Sequence, residues 1–339
     1  MSFLPDDSIR FYVNATSHTG HGHVMRQLAV IELLLEKGKT IELFYKSISG
    51  SLIILLQRLP IKLINIYSID DITPSDNPLV IDDYGLTSKD WFSLNKKSPF
   101  LFFYNDGIGL PEIEIYASIY PANINMPEIR ARHYLHGSDY RLFRKAFVLG
   151  PQNVSRGGQG SSSIVVSVML GGEDACDYYE KIITTLLQFN SINKIKVLTQ
   201  LSTQDFERRV RIEPEDSDRV LVLSQAENLA QEMKESTFSI CAAGGGMYEF
   251  LMLGVPTIGL IIAANQSVAL EDKILKEACI LIDMTESHRQ SSLAKSIEQL
   301  IQSPKTRALL SQLGPRQYDG LGAKRVVEQL LNCQAENYV

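Results

Sequence analysis

The chain has 339 residues, 45% apolar and 21% charged, with a formal net charge of −6, which is the make-up of an ordinary globular protein long enough for two domains. That balance offers no basic excess to release phosphate counterions, so no nucleic-acid partner is expected. No run of about 20 apolar residues is present to span a membrane, and the first residues, Met1 to Asp7, lack the basic and apolar regions of a secretory signal.

Taken in chain order, Ile9 to Val13 reads as a strand and Val24 to Glu36 as a helix, with three histidines (His18, His21, His23) and two glycines (Gly20, Gly22) at the junction. In an open α/β sheet a ligand is expected outside the carboxyl end of a strand. Glycines there let the backbone approach a ligand, and a new helix offers unpaired N–H groups. An imidazole in the same place can exchange protons near neutral pH. Thr40 to Tyr45 is a second strand, Ser49 to Leu59 a helix, and Lys62 to Ile66 a third strand. Pro78 to Gly85 is a short apolar run ending in Asp82 and Asp83, as a buried parallel strand does, and Phe100 to Asp106 repeats the pattern. Asp82 and Asp83 are candidates to bind substrate hydroxyls or orient an imidazole, against ordinary turn formation. The segment with His133, His136 and arginines 130, 132, 141 and 144 reads as irregular and solvated.

Gln152 to Ser163 is small and polar, as a linker or loop would be. The α/β rhythm then restarts. Ile164 to Leu170 is a strand ending in Gly171, Gly172, Glu173 and Asp174, followed by a helix to about Phe189. Lys194 to Leu198 and Arg219 to Leu223 are strands and Asn228 to Glu235 a helix. Phe238 to Ala243 is a strand that runs into Gly244, Gly245 and Gly246 and a helix from Met247 to Leu253. Val255 to Ile261 begins another strand, Asn265 and Gln266 open a helix, and the tail from about Lys305 to Leu331 is helical. Strands alternating with helices indicate βαβ units and parallel sheets. The expected architecture is two Rossmann-like domains, residues 1–150 and 164–339, joined by a linker at 151–163, with a ligand cleft between them.

The triple glycine fits either an anion cradle for a diphosphate or a tight turn with close helix–strand packing. It matches neither the dinucleotide fingerprint nor a P-loop. Glu249, placed in the first turn of the following helix, could reach ribose hydroxyls or simply complement the helix dipole. Gly171 and Gly172 form the same kind of junction. Asn265 and Gln266 carry amides for a sugar or nucleotide, or for capping. His21 and His23 lie two apart, but no cysteine or carboxylate joins them at ligand spacing, so no metal site is expected. No Gly-x-Ser-x-Gly elbow supports a serine hydrolase. The four scattered cysteines, Cys176, Cys241, Cys279 and Cys333, read as buried free thiols in a reducing cytoplasm.

As a set, these blocks resemble a known family. Gly20 to Arg26 is similar to the Gly-x-Gly-His-x-x-Arg motif of the nucleotide-sugar hydrolases of pseudaminic acid biosynthesis, which act on UDP-2,4-diacetamido-2,4,6-trideoxy-β-L-altropyranose. The resemblance continues through Ile81 to Gly85, Met169 to Asp174, Tyr248 to Pro256 and Asn265-Gln266. Spore-coat polysaccharide proteins are related, and the wider fold is that of GT-B glycosyltransferases. The resemblance implies hydrolysis of a UDP-sugar without metal, nicotinamide or flavin. His23 would activate water, with Asp82 and Tyr84 beside it. Gly20, Gly22, Arg26, Gly171, Gly172, Gly244, Gly245, Gly246, Glu249, Asn265 and Gln266 would hold substrate and UDP. Asp83 stands where the family has a histidine, and glycines stand where it has a Ser-Ser pair. The sugar, the oligomeric state and a transferase in place of a hydrolase are left open, as is a non-catalytic nucleotide-sugar binder.

Overall fold

The computed structural model describes residues 8–15, 22–105, 110–124, 128–149, 163–171, 175–224, 226, 228–285 and 290–336. The chain forms two compact units. The first comprises Met1–Arg144 with Gly320–Val339, and the second Lys145–Asp319.

The first unit contains β1 (Ser8–Val13), α1 (Gly22–Glu36), β2 (Thr40–Tyr45), α2 (Gly50–Gln57), β3 (Lys62–Asn65), β4 (Leu79–Asp82), α3 (Ser88–Asn95), β5 (Leu101–Tyr104), β6 (Ile115–Tyr120) and β7 (Ala131–His136). Its sheet has seven strands in the order β3-β2-β1-β4-β5-β6-β7, and every pairing is parallel. β1, β4, β5 and β6 are buried along their whole length, as central strands covered on both faces must be. Because alternate side chains leave a strand on opposite faces, two separate cores form. Phe11, Val13, Val80, Phe102 and Tyr104 pack on one side with α1. Tyr12, Leu79, Ile81, Leu101, Phe103 and Trp91 pack on the other with α3. Arg10, buried in β1, donates to the carbonyls of Thr73, Ser75, Asn77 and Lys97 at 2.7–3.0 Å. It thereby ties the loop before β4 to a central strand of the sheet.

The second unit contains α4 (Lys145–Leu149), β8 (Ile164–Met169), α5 (Cys176–Leu187), β9 (Ile192–Thr199), α6 (Thr203–Arg209), β10 (Val220–Ser224), α7 (Leu229–Lys234), β11 (Phe238–Ala242), α8 (Gly245–Met252), β12 (Thr257–Ile261), α9 (Lys273–Ala278), β13 (Ile280–Asp283), α10 (Gln290–Gln302) and α11 (Pro304–Gln317). Its sheet runs β10-β9-β8-β11-β12-β13, again all parallel. In both sheets the strand order reverses beside the first strand, at β1/β4 and at β8/β11, and such a switch point opens a crevice at the strands' carboxyl ends.

The last helix, α12 (Gly322–Glu336), departs from the sequence-based division. It packs on the first unit, not the second. Ala323, Val326, Val327, Leu330 and Cys333 form a stripe at helical spacing that joins the α1-side core. Gly322 makes the approach, since a Cβ there would overlap the backbone at Tyr140 and Arg141, and Arg325 donates to the Asp139 carbonyl at 2.8 Å. The helical tail is thus two helices with different hosts. The expected linker at 151–163 lies outside the described residues, apart from Ser163.

The structure also differs at four places where the sequence pattern was weak. β6, β7 and β13 were not anticipated. His133 and His136 sit in β7, an edge strand, with His136 Nε2 3.3 Å from the Ser118 hydroxyl. Asn265 and Gln266 open a short 3-10 segment, Ala264–Leu270, not a long helix.

Candidate active site

Four residues meet at the β1/β4 switch point of the first unit. α1 starts at Gly22, where a Cβ would meet nothing within 4 Å, so packing does not require the glycine. The next residue, His23, is 3% exposed. At the end of β4 the pleat separates the two acids that the sequence left equivalent. Asp82 follows Val80 onto the α1 side, while Asp83 follows Ile81 onto the other face.

Asp82 is fully buried and saturated with donors. Its Oδ1 accepts from His23 Nδ1 at 2.5 Å and from Arg26 Nη2 at 2.5 Å. Its Oδ2 accepts from Arg26 Nε at 2.6 Å and from Gln27 Nε2 at 2.7 Å. Burial alone would raise the carboxyl, but the Arg26 charge, then the His23 ring, outweighs it and holds Asp82 down at about 2. A carboxylate cannot donate, so the shared proton is on His23 Nδ1, which leaves Nε2 as the position of the lone pair whenever the ring is neutral. That Nε2 atom is buried and has no partner among the described residues. The Tyr84 ring meets the imidazole edge-on, with centroids 4.2 Å apart. The arrangement is an oriented imidazole with one nitrogen committed to Asp82 and the other without a partner among the described residues, a disposition that suits a general base.

Asp83 has a structural role. It accepts from the Tyr12 hydroxyl at 2.9 Å and from Asn14 Nδ2 at 2.7 Å, while Asn14 Oδ1 accepts from the Lys46 and Ser47 amides. Burial and the Asp83 charge push the Tyr12 hydroxyl far above the usual phenol range. The network fastens the end of β1 to the end of β2 and faces away from His23.

Two residues here were not among those singled out from the sequence, Gln27 and Tyr104. The Arg26 guanidinium lies over the Tyr104 ring at 3.8 Å from its centroid. A signal for Gln27 existed: His23, Arg26 and Gln27 are spaced i, i+3 and i+4, one face of a helix. Gly20 and His21 lie outside the described residues.

The β8/β11 switch point of the second unit carries the glycine-rich loops. Gly171 follows β8 in the left-handed region, with φ +67°, so the turn requires glycine; Gly172 lies outside the described residues. The triplet after β11 divides between the two sequence readings. A Cβ at Gly246 would overlap the Met169 methyl, so that glycine serves helix–strand packing, whereas Gly244 and Gly245 face open space. Gly245 is the first residue of α8, so Glu249, half-buried, lies a full turn in and not in the first turn. Asn265 is exposed, and Gln266 Oε1 accepts from the Ile262 amide at 2.9 Å, a contact that closes its own loop. Cys241, Cys279 and Cys333 are buried free thiols, and Cys176 is half-exposed. Among the described residues no cluster of metal-ligating side chains occurs, and no helix is long and apolar enough to cross a membrane.

Two parallel Rossmann-like sheets in separate units define a two-domain α/β GT-B fold, and solved structures agree. A glycosyltransferase from Rickettsia africae superposes with TM-score 0.61 at 10% identity, covering 98% of this chain and 99% of that one. An Anabaena protein solved in complex with UDP and glucose superposes with TM-score 0.58 at 12% identity, covering 95% and 99%. Among curated sequences, an uncharacterised protein of Methanocaldococcus jannaschii is 22% identical over 287 residues, 79% of this chain. The chain spans only 58% of that relative's length. No protein-family model matches the chain.

Proposed function

We propose that the protein is an enzyme that cleaves the anomeric C–O bond of a UDP-linked amino-deoxy sugar, with water as acceptor. The observation that carries the reading is the buried His23–Asp82 pair with Nε2 left available. Water attacks the anomeric carbon as His23 Nε2 takes its proton. The bond from that carbon to the diphosphate oxygen breaks, and UDP leaves with the electron pair. A diphosphate is already a good leaving group, so the protein must place a base and offset the charge that develops. Backbone N–H groups at Gly171, Gly172, Gly244 and Gly245 suit that second task, Glu249 the ribose hydroxyls, and Tyr84 and Asn265 the sugar and phosphates. Gly246 serves helix–strand packing, Gln266 closes its own loop, and Gly22 keeps the start of α1 beside His23 low in bulk. The similarity of Gly20 to Arg26 to the pseudaminic-acid hydrolase motif favours water as acceptor and a diacetamido-trideoxy sugar as donor.

A glycosyltransferase is the second reading, because a sugar hydroxyl can replace water in the same step. The fold shared with a Rickettsia africae protein described as a glycosyltransferase favours it. The test is turnover and UDP binding by the wild type and by His23→Ala. The reading predicts that His23→Ala loses turnover, about a thousand-fold or more if general-base catalysis is combined with loss of the oriented pair, with UDP affinity within a few-fold. A fully active variant refutes it.

A further inference from the structure

We propose that Arg26 is a positioning residue and not a substrate ligand: it locks Asp82 against His23 and so holds the imidazole in a single orientation and tautomer. The proposal rests on His23 as the base described above, and it reassigns a residue that the motif alone places among the substrate contacts.

Three observations carry it. First, the guanidinium reaches both Asp82 oxygens, Nε to Oδ2 at 2.6 Å and Nη2 to Oδ1 at 2.5 Å. That bidentate geometry fixes the carboxylate plane, which a single contact would leave free to rotate. Second, the guanidinium carbon lies over the Tyr104 ring, 3.8 Å from its centroid, so a side chain on β5 supports it. The strand pleat explains the meeting, since Tyr104 and Asp82 both face α1. Third, Nη2 is 3.4 Å from His23 Nδ1. Both atoms carry protons, so the contact is a charge beside the imidazole, not a hydrogen bond.

The groups facing His23 among the described residues are Asp82 from β4, Arg26 and Gln27 from α1, and Tyr84 from the loop after β4; Asp83 turns away to Tyr12 and Asn14. Arg26 is the cation in that set.

The test is NMR of the ¹⁵N-histidine-labelled full chain, with the His23 signals assigned by their loss in His23→Gln. In Arg26→Gln and in Arg26→Lys, neither of which keeps the bidentate fork, the proposal expects the Nδ1–H tautomer of His23 to lose its dominance and kcat to fall while KM stays near wild type. An Arg26→Lys protein that keeps wild-type tautomer purity overturns the proposal, and this variant serves if Arg26→Gln does not fold. Loss of tautomer purity matched by loss of kcat supports both the proposal and His23 as base, whereas loss of tautomer purity with full turnover counts against His23 as base alone. A raised KM with unchanged tautomer purity makes Arg26 a substrate ligand and ends the proposal.

Discussion

Asp82→Asn keeps the shape of the side chain and removes its charge, which makes it the sharpest perturbation of the site. In the wild type one buried carboxylate satisfies His23, both forks of Arg26 and Gln27. The amide can accept at one atom only, so its NH2 confronts the donors of Arg26 or Gln27, or turns to His23. Removing one partner of a buried ion pair costs about 3–5 kcal/mol. The Arg26 side chain retains 17% exposure and can recover part of its solvation, which places the loss near the lower end. At about 2–4 °C per kcal/mol for a unit of this size, melting falls by roughly 6–12 °C. The catalytic effect is separate. An amide that donates to Nδ1 moves the imidazole proton to Nε2 and removes the base, a change of about a thousand- to ten-thousand-fold in kcat by analogy with hydrolytic triads. Circular dichroism melts and UDP-release kinetics on the same preparation read both. A variant that melts within 2 °C of wild type and turns over normally (against the ~6 °C loss expected) would refute the reasoning.

Other outcomes follow from the same contacts. The folded Asp82 carboxyl sits at about 2, below its ordinary 3.8, so the unfolded chain binds more protons between those values. Its stabilisation is complete above about pH 4 and is lost as pH falls to about 2, about 2 kcal/mol in all; denaturant titrations should show that loss in wild type and not in Asp82→Asn. Gly322→Ala pushes a methyl into the backbone at Tyr140 and Arg141, so overpacking should cost about 1–3 kcal/mol and raise hydrogen exchange along α12. An unchanged melt there would mean that the helix does not dock as described. Glu249→Ala should weaken UDP binding about ten-fold, the scale of a lost charged hydrogen bond; calorimetry showing an unchanged Kd would remove Glu249 from the site.

Much of this was legible in the chain because parallel strands buried on both faces are short apolar runs. β1, β4, β5, β8, β11 and β12 all read that way, and the loops after them drew attention to His23, Gly171 and Gly244. What escaped the sequence has physical causes. β7 (Ala131–His136) is an edge strand with only Leu135 buried, so it carries no apolar run. β6 (Ile115–Tyr120) is fully buried, yet Ala117 and Ser118 interrupt its apolar pattern. Asp82 and Asp83 cannot be told apart from their neighbours, since Val80 and Ile81 are both apolar and the pleat's phase depends on the sheet. The stripe on α12 announces an amphipathic helix but not the surface that buries it. The motif names Arg26, but a sequence shows which residue types are near, not which carboxylate a guanidinium pairs with, so its bidentate contact with Asp82 had to come from the fold.

The most direct measurement is incubation with a panel of UDP-linked amino-deoxy sugars, without acceptor, following UDP and free sugar together. The account predicts UDP release matched by free sugar for at least one donor and lost in His23→Ala. Tight UDP binding with release only on adding a sugar acceptor would contradict water as the acceptor. Release that persists in His23→Ala would contradict the His23–Asp82 pair as the catalytic centre.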